Sequence, residues 1–392
     1  MAILRSNKKL RMAFNQSVME PEFYKHWFET LNDMFVEKSD SVGQVTALDH
    51  FVDLKFGEEL EYDFKKKLWG GAHAYVQKFE GHMRKLGANQ TPCLRGLTFD
   101  GHFHVIPFID SNRWLEMNCT PYHDGESGAD YCLEKVFESV NAMIHLGLID
   151  YSSGHKHVDA LSATRGNPAV LLELQREIES NPYLSRAFGN NDKIIKNNES
   201  QWYKLFSDNS DMKELAIERI NLMITSYNEK LADSHHEEVN SYRLTDSEKL
   251  DKLKQFSEIY SHYVQMSPLQ QIYGRVGDVF TNKFMAIGLL HILGTEAVEP
   301  YSTIEFRFFR CPESIQELKL INQFLKAWFE YIHNRRIKGE PIQYVPDDVK
   351  DSKDYTAKEV RHQTAQYLHK LGLNPDDYHS FLNKVSAEMP ET

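Results

Sequence analysis

Apolar and polar positions alternate along this chain with periods that change by region. Phe23, Trp27, Leu31 and Phe35 recur every four residues, which predicts an amphipathic helical segment over residues 1 to about 45. From about 46 to 160 the pattern shortens to strands. Leu54 to Phe64 is one, Gly96 to Asp100 and His102 to Ile109 flank the turn dipeptide Asp100-Gly101, and Trp114 to Asn118 is closed by Pro121. Two helical stretches interleave with them: Phe64 to Leu86, interrupted at Gly70-Gly71, and Asp130 to Leu146, with Leu133, Val136, Phe137, Val140 and Ile144 on one side. From about 165 to 270 the chain is polar, helical in period and broken by Gly189-Asn190-Asn191, and it reads as a helical insertion or lid. A helix from about Arg275 to Leu293 and a strand around Glu305 then resume the core. Ser314 with Glu317 predicts a capping box ahead of the stripe Ile315, Leu318, Ile321, Leu325, Trp328 and Ile332. Thr356 with Glu359 predicts a second box, before a terminal helix that ends near Gly372.

Several strands carry charges where an apolar face is expected. Glu59 and Glu61 lie two residues apart in one, Glu305 and Arg307 in another, and side chains at i and i+2 of a strand share a face. Desolvating a carboxylate is expensive unless it is paired or bound to a metal, so two such strands predict a sheet with one polar, reactive face. Glu116 is a lone charge in the apolar strand Trp114-Leu115-Glu116-Met117-Asn118, and Gly154-His155-Lys156-His157 puts two imidazoles at the same spacing. Each signal has a bland counterpart: a solvated edge strand for Glu59 and Glu61, a surface position for Glu116, chance spacing for the histidines in a chain with 18 of them, and a structural ion pair for Glu305 and Arg307. Arg275 and Asn282, on the expected helix, mean little in isolation.

Composition narrows the setting. An apolar fraction of 41% with 23 Phe, 19 Tyr and 5 Trp is that of a globular protein, and 392 residues supply ample core. With 45 basic against 57 acidic residues the formal charge is −12, which argues against non-specific nucleic-acid binding. Cys93, Cys119, Cys132 and Cys311 have no CxxC spacing and read as free thiols. No apolar stretch follows Lys8, Lys9 and Arg11, and the apolar run around Phe284 to Leu293 is too short for a bilayer, so a cytoplasmic protein without a membrane segment is expected.

Taken jointly, carboxylates on neighbouring strands suit hard divalent cations such as Mg²⁺, which are commonly shared with substrate phosphates. An arginine beside them suits the charge of a transferring phosphoryl group. No Walker A run is present, so phosphate binding would rest on metal and arginine. The order Phe56-Gly57-x-Glu59-x-Glu61, then the Glu116 strand ending at Pro121, then Gly154-His155-x-His157, then Arg275 and Asn282, then Thr303-Ile304-Glu305-Phe306-Arg307 resembles the amidoligases. These belong to the glutamine synthetase and glutamate–cysteine ligase superfamily of carboxylate–amine ligases. The resemblance spans roughly residues 50 to 335. The chain departs from the family pattern in the long segment between His157 and Arg275 and in Met117-Asn118-Cys119-Thr120 before Pro121.

The resemblance implies an α+β fold with a curved antiparallel sheet and helices on its outer face. The corresponding organisation is an N-terminal helical segment (1–45), a glutamine synthetase-like amidoligase domain (46–345, with the helical insertion at about 165–270) and a C-terminal helical extension (346–392). It implies ATP and Mg²⁺ (or Mn²⁺) on the concave side. A substrate carboxylate would take the γ-phosphoryl group to give an acyl phosphate, from which an amine displaces phosphate. Glu59, Glu61, Glu116, His157 and Glu305 match metal-ligand positions, with His155 at metal or phosphate. Arg307 matches the phosphoryl-stabilising arginine, Arg275 a phosphate or carboxylate anchor, and Asn282 an accessory contact. The carboxylate and amine substrates, whether small molecule, peptide or protein, are left open, as is a homo-oligomer. Two other readings keep the fold: a phosphotransferase, and a non-catalytic scaffold or interaction protein.

Overall fold

The computed structural model describes residues 54–90, 96–110, 113–164, 169–189, 286–288, 303–346, 348–350 and 352–388. The architecture is α+β, built on one large, open sheet in which every described pairing is antiparallel. Its strands are β1 (Lys55–Phe64), β2 (Asn89–Gln90), β3 (Leu97–Thr98), β4 (Val105–Asp110), β5 (Trp114–Cys119), β6 (Tyr122–His123), β7 (Ile149–Asp159), β8 (Ile287–Gly288) and β9 (Thr303–Phe306). Their spatial order is β2-β3-β4-β5-β1-β7-β9-β8, with β6 alongside the start of β1. The helices are α1 (His73–Lys85), α2 (Ser127–His145), α3 (Ala160–Thr164), α4 (Ala169–Ser180), α5 (Tyr183–Phe188), α6 (Ile315–Ile337), α7 (Ala357–Lys370) and α8 (His379–Glu388).

The two-residue period decides what each face holds. Phe56, Leu60 and Tyr62 of β1, Val158 of β7 and Ile304 and Phe306 of β9 are buried in one apolar cluster with Val136, Phe137 and Val140 of α2 and Leu325 and Trp328 of α6. Fully burying side chains of this size contributes roughly 1.5–3 kcal/mol each before entropy is counted. The strand that carries Glu305 is especially well backed. Phe306 lies 6.2 Å from Trp328 and 6.1 Å from Phe329, ring to ring. Further along, Phe188 stacks among Phe309 (5.4 Å), Phe324 (4.6 Å) and Phe381 (5.3 Å).

Several expectations change here. Residues 286–288 are not helical: Ile287 and Gly288 pair with Phe306 and Glu305 as an extra strand. A short apolar run cannot be assigned to helix or strand by periodicity alone, and here pairing with β9 makes it a strand. The start of the expected insertion is core: α4 and α5 bury Leu174, Ile178, Leu184 and Phe188, and residues 190–270 lie outside the described region. In the expected 346–392 extension, described residues Val360, Leu368, Phe381 and Val385 belong to the same cluster, and α8 is an additional helix after Gly372. Ser314 caps α6, but Glu317 turns to the backbone N–H of Glu313 and to Arg310, so that box is half formed. The box of Thr356 and Glu359 is complete. The predicted 1–45 helix lies outside the described residues. Among those residues, no helix is long and apolar enough to cross a membrane.

Candidate active site

The odd-numbered residues of β1 turn to the face opposite the helices, and antiparallel register sets their neighbours. Glu59 stands opposite Asn118 on one side and His155 on the other, Gly57 opposite His157, His157 opposite Glu305, and Glu61 opposite Glu116. Two glycines allow this spacing. A Cβ on Gly57 would press against the His157 Cβ at 3.3 Å. One on Gly154 would meet the Glu59 carbonyl oxygen and the Cys311 Cα, each at 3.2 Å, so the glycine of the Gly-His-x-His sequence permits the strands to approach.

Five of the predicted site residues form one ionic cluster. His155 Nδ1 lies 2.7 Å from a Glu59 oxygen and 3.0 Å from Glu305, and His157 Nε2 lies 3.2 Å from the other Glu59 oxygen. Arg307 pairs with Glu305. The structural ion pair weighed above therefore forms, but inside the polar cluster rather than away from it. Glu61 takes a hydrogen bond from Ser153. Glu116 has a like-charged neighbour in register and belongs to the same acidic surface. Arg275 and Asn282 lie outside the described residues.

The charges are far from their ordinary state. Burial acts to raise the Glu59 pKa, but hydrogen bonds from His155 and His157 and their positive charge outweigh it and hold that carboxyl well below the usual range. Burial and Arg307 work against the His155 cation, yet Glu305 and Glu59 raise its pKa to about 9. Glu116 goes the other way: burial, then the charges of Glu59, Glu61 and Asp110, push it up to about 8. At neutral pH the face thus holds ionised and protonated carboxyls side by side, a separation typical of functional sites.

A metal ion fits this geometry. One oxygen each from Glu59 and Glu305 and a ring nitrogen of His157 all lie within 4.8 Å of one another. The donor set suits Mg²⁺ or Mn²⁺ in its oxygens, and the imidazole tilts it towards the latter. Beside it a cleft of about 540 Å³ is lined by Lys55, Gly57, Glu59, Asn118, His157 and Thr303, a size that accepts a small-molecule ligand.

Sequence reading passed over Ser153, Thr303 and Asn118. Each sits two residues from a named site residue (His155, Glu305 and Glu116), and the same-face rule applied outward along each strand finds them. It also missed Glu58 and Lys156, which are buried on the helix-covered side. The site is thus a carboxylate–imidazole–arginine cluster on the face of an antiparallel sheet opposite its described helices. Comparison with known proteins adds no family to this description: no family model matches the chain, and no curated protein matches it significantly.

Proposed function

We propose that this protein is an ATP-dependent carboxylate–amine ligase of the glutamine synthetase-like type, using Mg²⁺ or Mn²⁺ to join an amine to a carboxylate on an amino acid, peptide or protein. The observation that carries this reading is the convergence of Glu59, His155, His157, Glu305 and Arg307 on one sheet face beside a ligand-sized cleft. Glu59, His157 and Glu305 would hold a divalent ion, with Glu61 and Glu116 as further carboxylates alongside. Such an ion supplies charge neutralisation between a polyphosphate and an attacking carboxylate.

The chain's own residues have separable roles. Arg307, tethered to Glu305, holds a guanidinium fork where charge on a transferring phosphoryl group develops. His155 bridges Glu59 and Glu305 and fixes the two carboxylates relative to each other. Gly57 keeps the floor of the cleft low. Arg275 would anchor phosphate or the substrate carboxylate, with Asn282 assisting.

Product analysis tests the reading. Purified protein with ATP, Mg²⁺ and pooled amino acids or peptides as donors and acceptors is expected to release ADP and phosphate in step with a new amide. A phosphorylated acceptor in place of free phosphate would identify a phosphotransferase. Absence of any nucleotide turnover across the panel would favour a scaffold.

A further inference from the structure

Directly behind the histidines, on the helix-covered side of the sheet, lies an ionic pair that the proposed chemistry does not use. Glu58 and Lys156 are 5% and 2% exposed, and their carboxylate and ammonium are in direct contact. The Tyr122 hydroxyl donates to Glu58 and lies 3.1 Å from the Lys156 Nζ. Lys156 also sits over the rings of Phe56 (4.6 Å) and Tyr122 (5.3 Å). From Tyr122 the polar chain continues through Asn322 to Asp124 and Lys326, tying the pair to helix α6. A buried pair of this kind is seldom more stable than well-packed apolar residues, so its presence calls for another explanation.

Register supplies one. Glu58 and Lys156 are direct cross-strand partners, flanked by Gly57 opposite His157 and Glu59 opposite His155. A one-residue slip of β1 against β7 would turn every side chain to the wrong face, and the apolar pattern alone forbids it. A two-residue slip is different, because it keeps both faces. The helix-facing positions beside the pair are Phe56 and Leu60 on one strand and Gly154 and Val158 on the other, so the apolar pattern does not by itself forbid the shift. Close packing at Gly57, where a Cβ would meet the His157 Cβ at 3.3 Å, opposes it alongside the pair. In either two-residue slip, however, Glu58 would face Gly154 or Val158, and Lys156 would face Phe56 or Leu60. Both charges would then be buried without their partner. The same slips would set Glu59 opposite Ser153 or His157 and break its contact with His155, so that the two histidines no longer share it.

We infer that the Glu58–Lys156 pair is a register lock, a pair of positioning residues that select the one β1–β7 alignment in which Glu59, His155 and His157 meet. Its link to metal binding rests on the proposed function, whereas the alignment itself does not.

The test compares the full chain with the double variant Glu58→Met/Lys156→Met and with the charge-swapped Glu58→Lys/Lys156→Glu. The first readout needs no metal: the imidazole proton resonance of His155 hydrogen-bonded to Glu59, assigned in histidine-labelled protein against His155→Gln. The second is Mn²⁺ affinity by calorimetry. The apolar double variant is expected to melt no lower than wild type, to split or lose the His155 resonance, and to bind Mn²⁺ about 10- to 100-fold more weakly, the range typical of residues that orient metal ligands. The swapped pair is expected to keep the native resonance. An apolar variant with an unchanged His155 resonance would overturn the lock, as would a folded swapped variant that loses it. Should the apolar variant fail to fold, the swapped variant decides alone, and its own failure to fold would also count against a lock based on pairing. If wild type binds no Mn²⁺ while the resonance behaves as stated, the lock stands and the metal reading falls.

Discussion

Replacing Glu116 by glutamine isolates the cost of crowding carboxylates on the site face. Glu116 is 7% exposed, so solvent screens it little, and it stands opposite Glu61 in the sheet. Burial and then the charges of Glu59, Glu61 and Asp110 raise its pKa from 4.5 to about 8. That displacement corresponds to about 5 kcal/mol of penalty on the ionised form. Because the folded pKa lies above the unfolded one, folding takes up a proton. The stabilisation this confers is complete below pH 4.5 and disappears as pH rises through 8. Between pH 5 and pH 8.5 the wild type should therefore lose about 4 kcal/mol that Glu116→Gln, with no proton to release, does not lose. Urea unfolding of both proteins at pH 5, 7 and 8.5 measures this directly. A divalent cation bound on this face would take over the proton's role and flatten the wild-type loss. Stability–pH curves that run parallel for the two proteins would refute the electrostatic account of the face.

Other expectations follow from the same geometry. His155 titrates near 9 rather than 6.5, so its contribution is full below pH 6.5 and fades as pH rises through 9. His155→Gln should accordingly destabilise the metal-free protein by on the order of 3 kcal/mol at pH 6 and by much less at pH 9.5, read by urea unfolding. Arg307→Ala should lower nucleotide turnover by about 100-fold or more while circular dichroism and melting temperature stay close to wild type; joint loss of fold would make the Glu305 pair structural. Phe188→Ala, which removes a ring packed against Phe309, Phe324 and Phe381, should cost about 3–5 kcal/mol in chemical denaturation. A near-neutral result there would return α5 to the status of a peripheral insertion.

Much of the site was legible because a strand's two-residue period survives without any knowledge of the fold. Glu59 with Glu61, His155 with His157 and Glu305 with Arg307 each announce one face, and the sheet places the three pairs on neighbouring strands. Register was not legible. That Glu59 meets His155 while Glu61 meets Glu116 depends on pairing across β5, β1 and β7, and on the irregularity between Leu60 and Tyr62. The helix-facing ionic pair was hidden for the same reason: Glu58 and Lys156 look like surface charges until the strands are aligned. Segments 169–189 and 352–388 were underestimated because their polar residues are buried with partners. Glu173 binds Arg335 and Arg336 at 2.6 and 2.5 Å, and the Tyr367 hydroxyl donates to Glu177, so a charge-rich helix became core. Ile287 and Gly288 show the reverse failure, a run with helical period that pairing with β9 makes a strand.

The most direct measurement of the central claim is calorimetric titration of the purified chain with a non-hydrolysable ATP analogue, with and without Mg²⁺, repeated on Glu305→Ala. Binding that requires Mg²⁺ and disappears in the variant is the predicted result, because Glu305 is one of the three residues placed to hold a metal ion and pairs with Arg307. Wild-type protein that fails to bind the analogue at millimolar concentration, or that binds it equally well without Mg²⁺ and without Glu305, would contradict a nucleotide–metal site on this sheet.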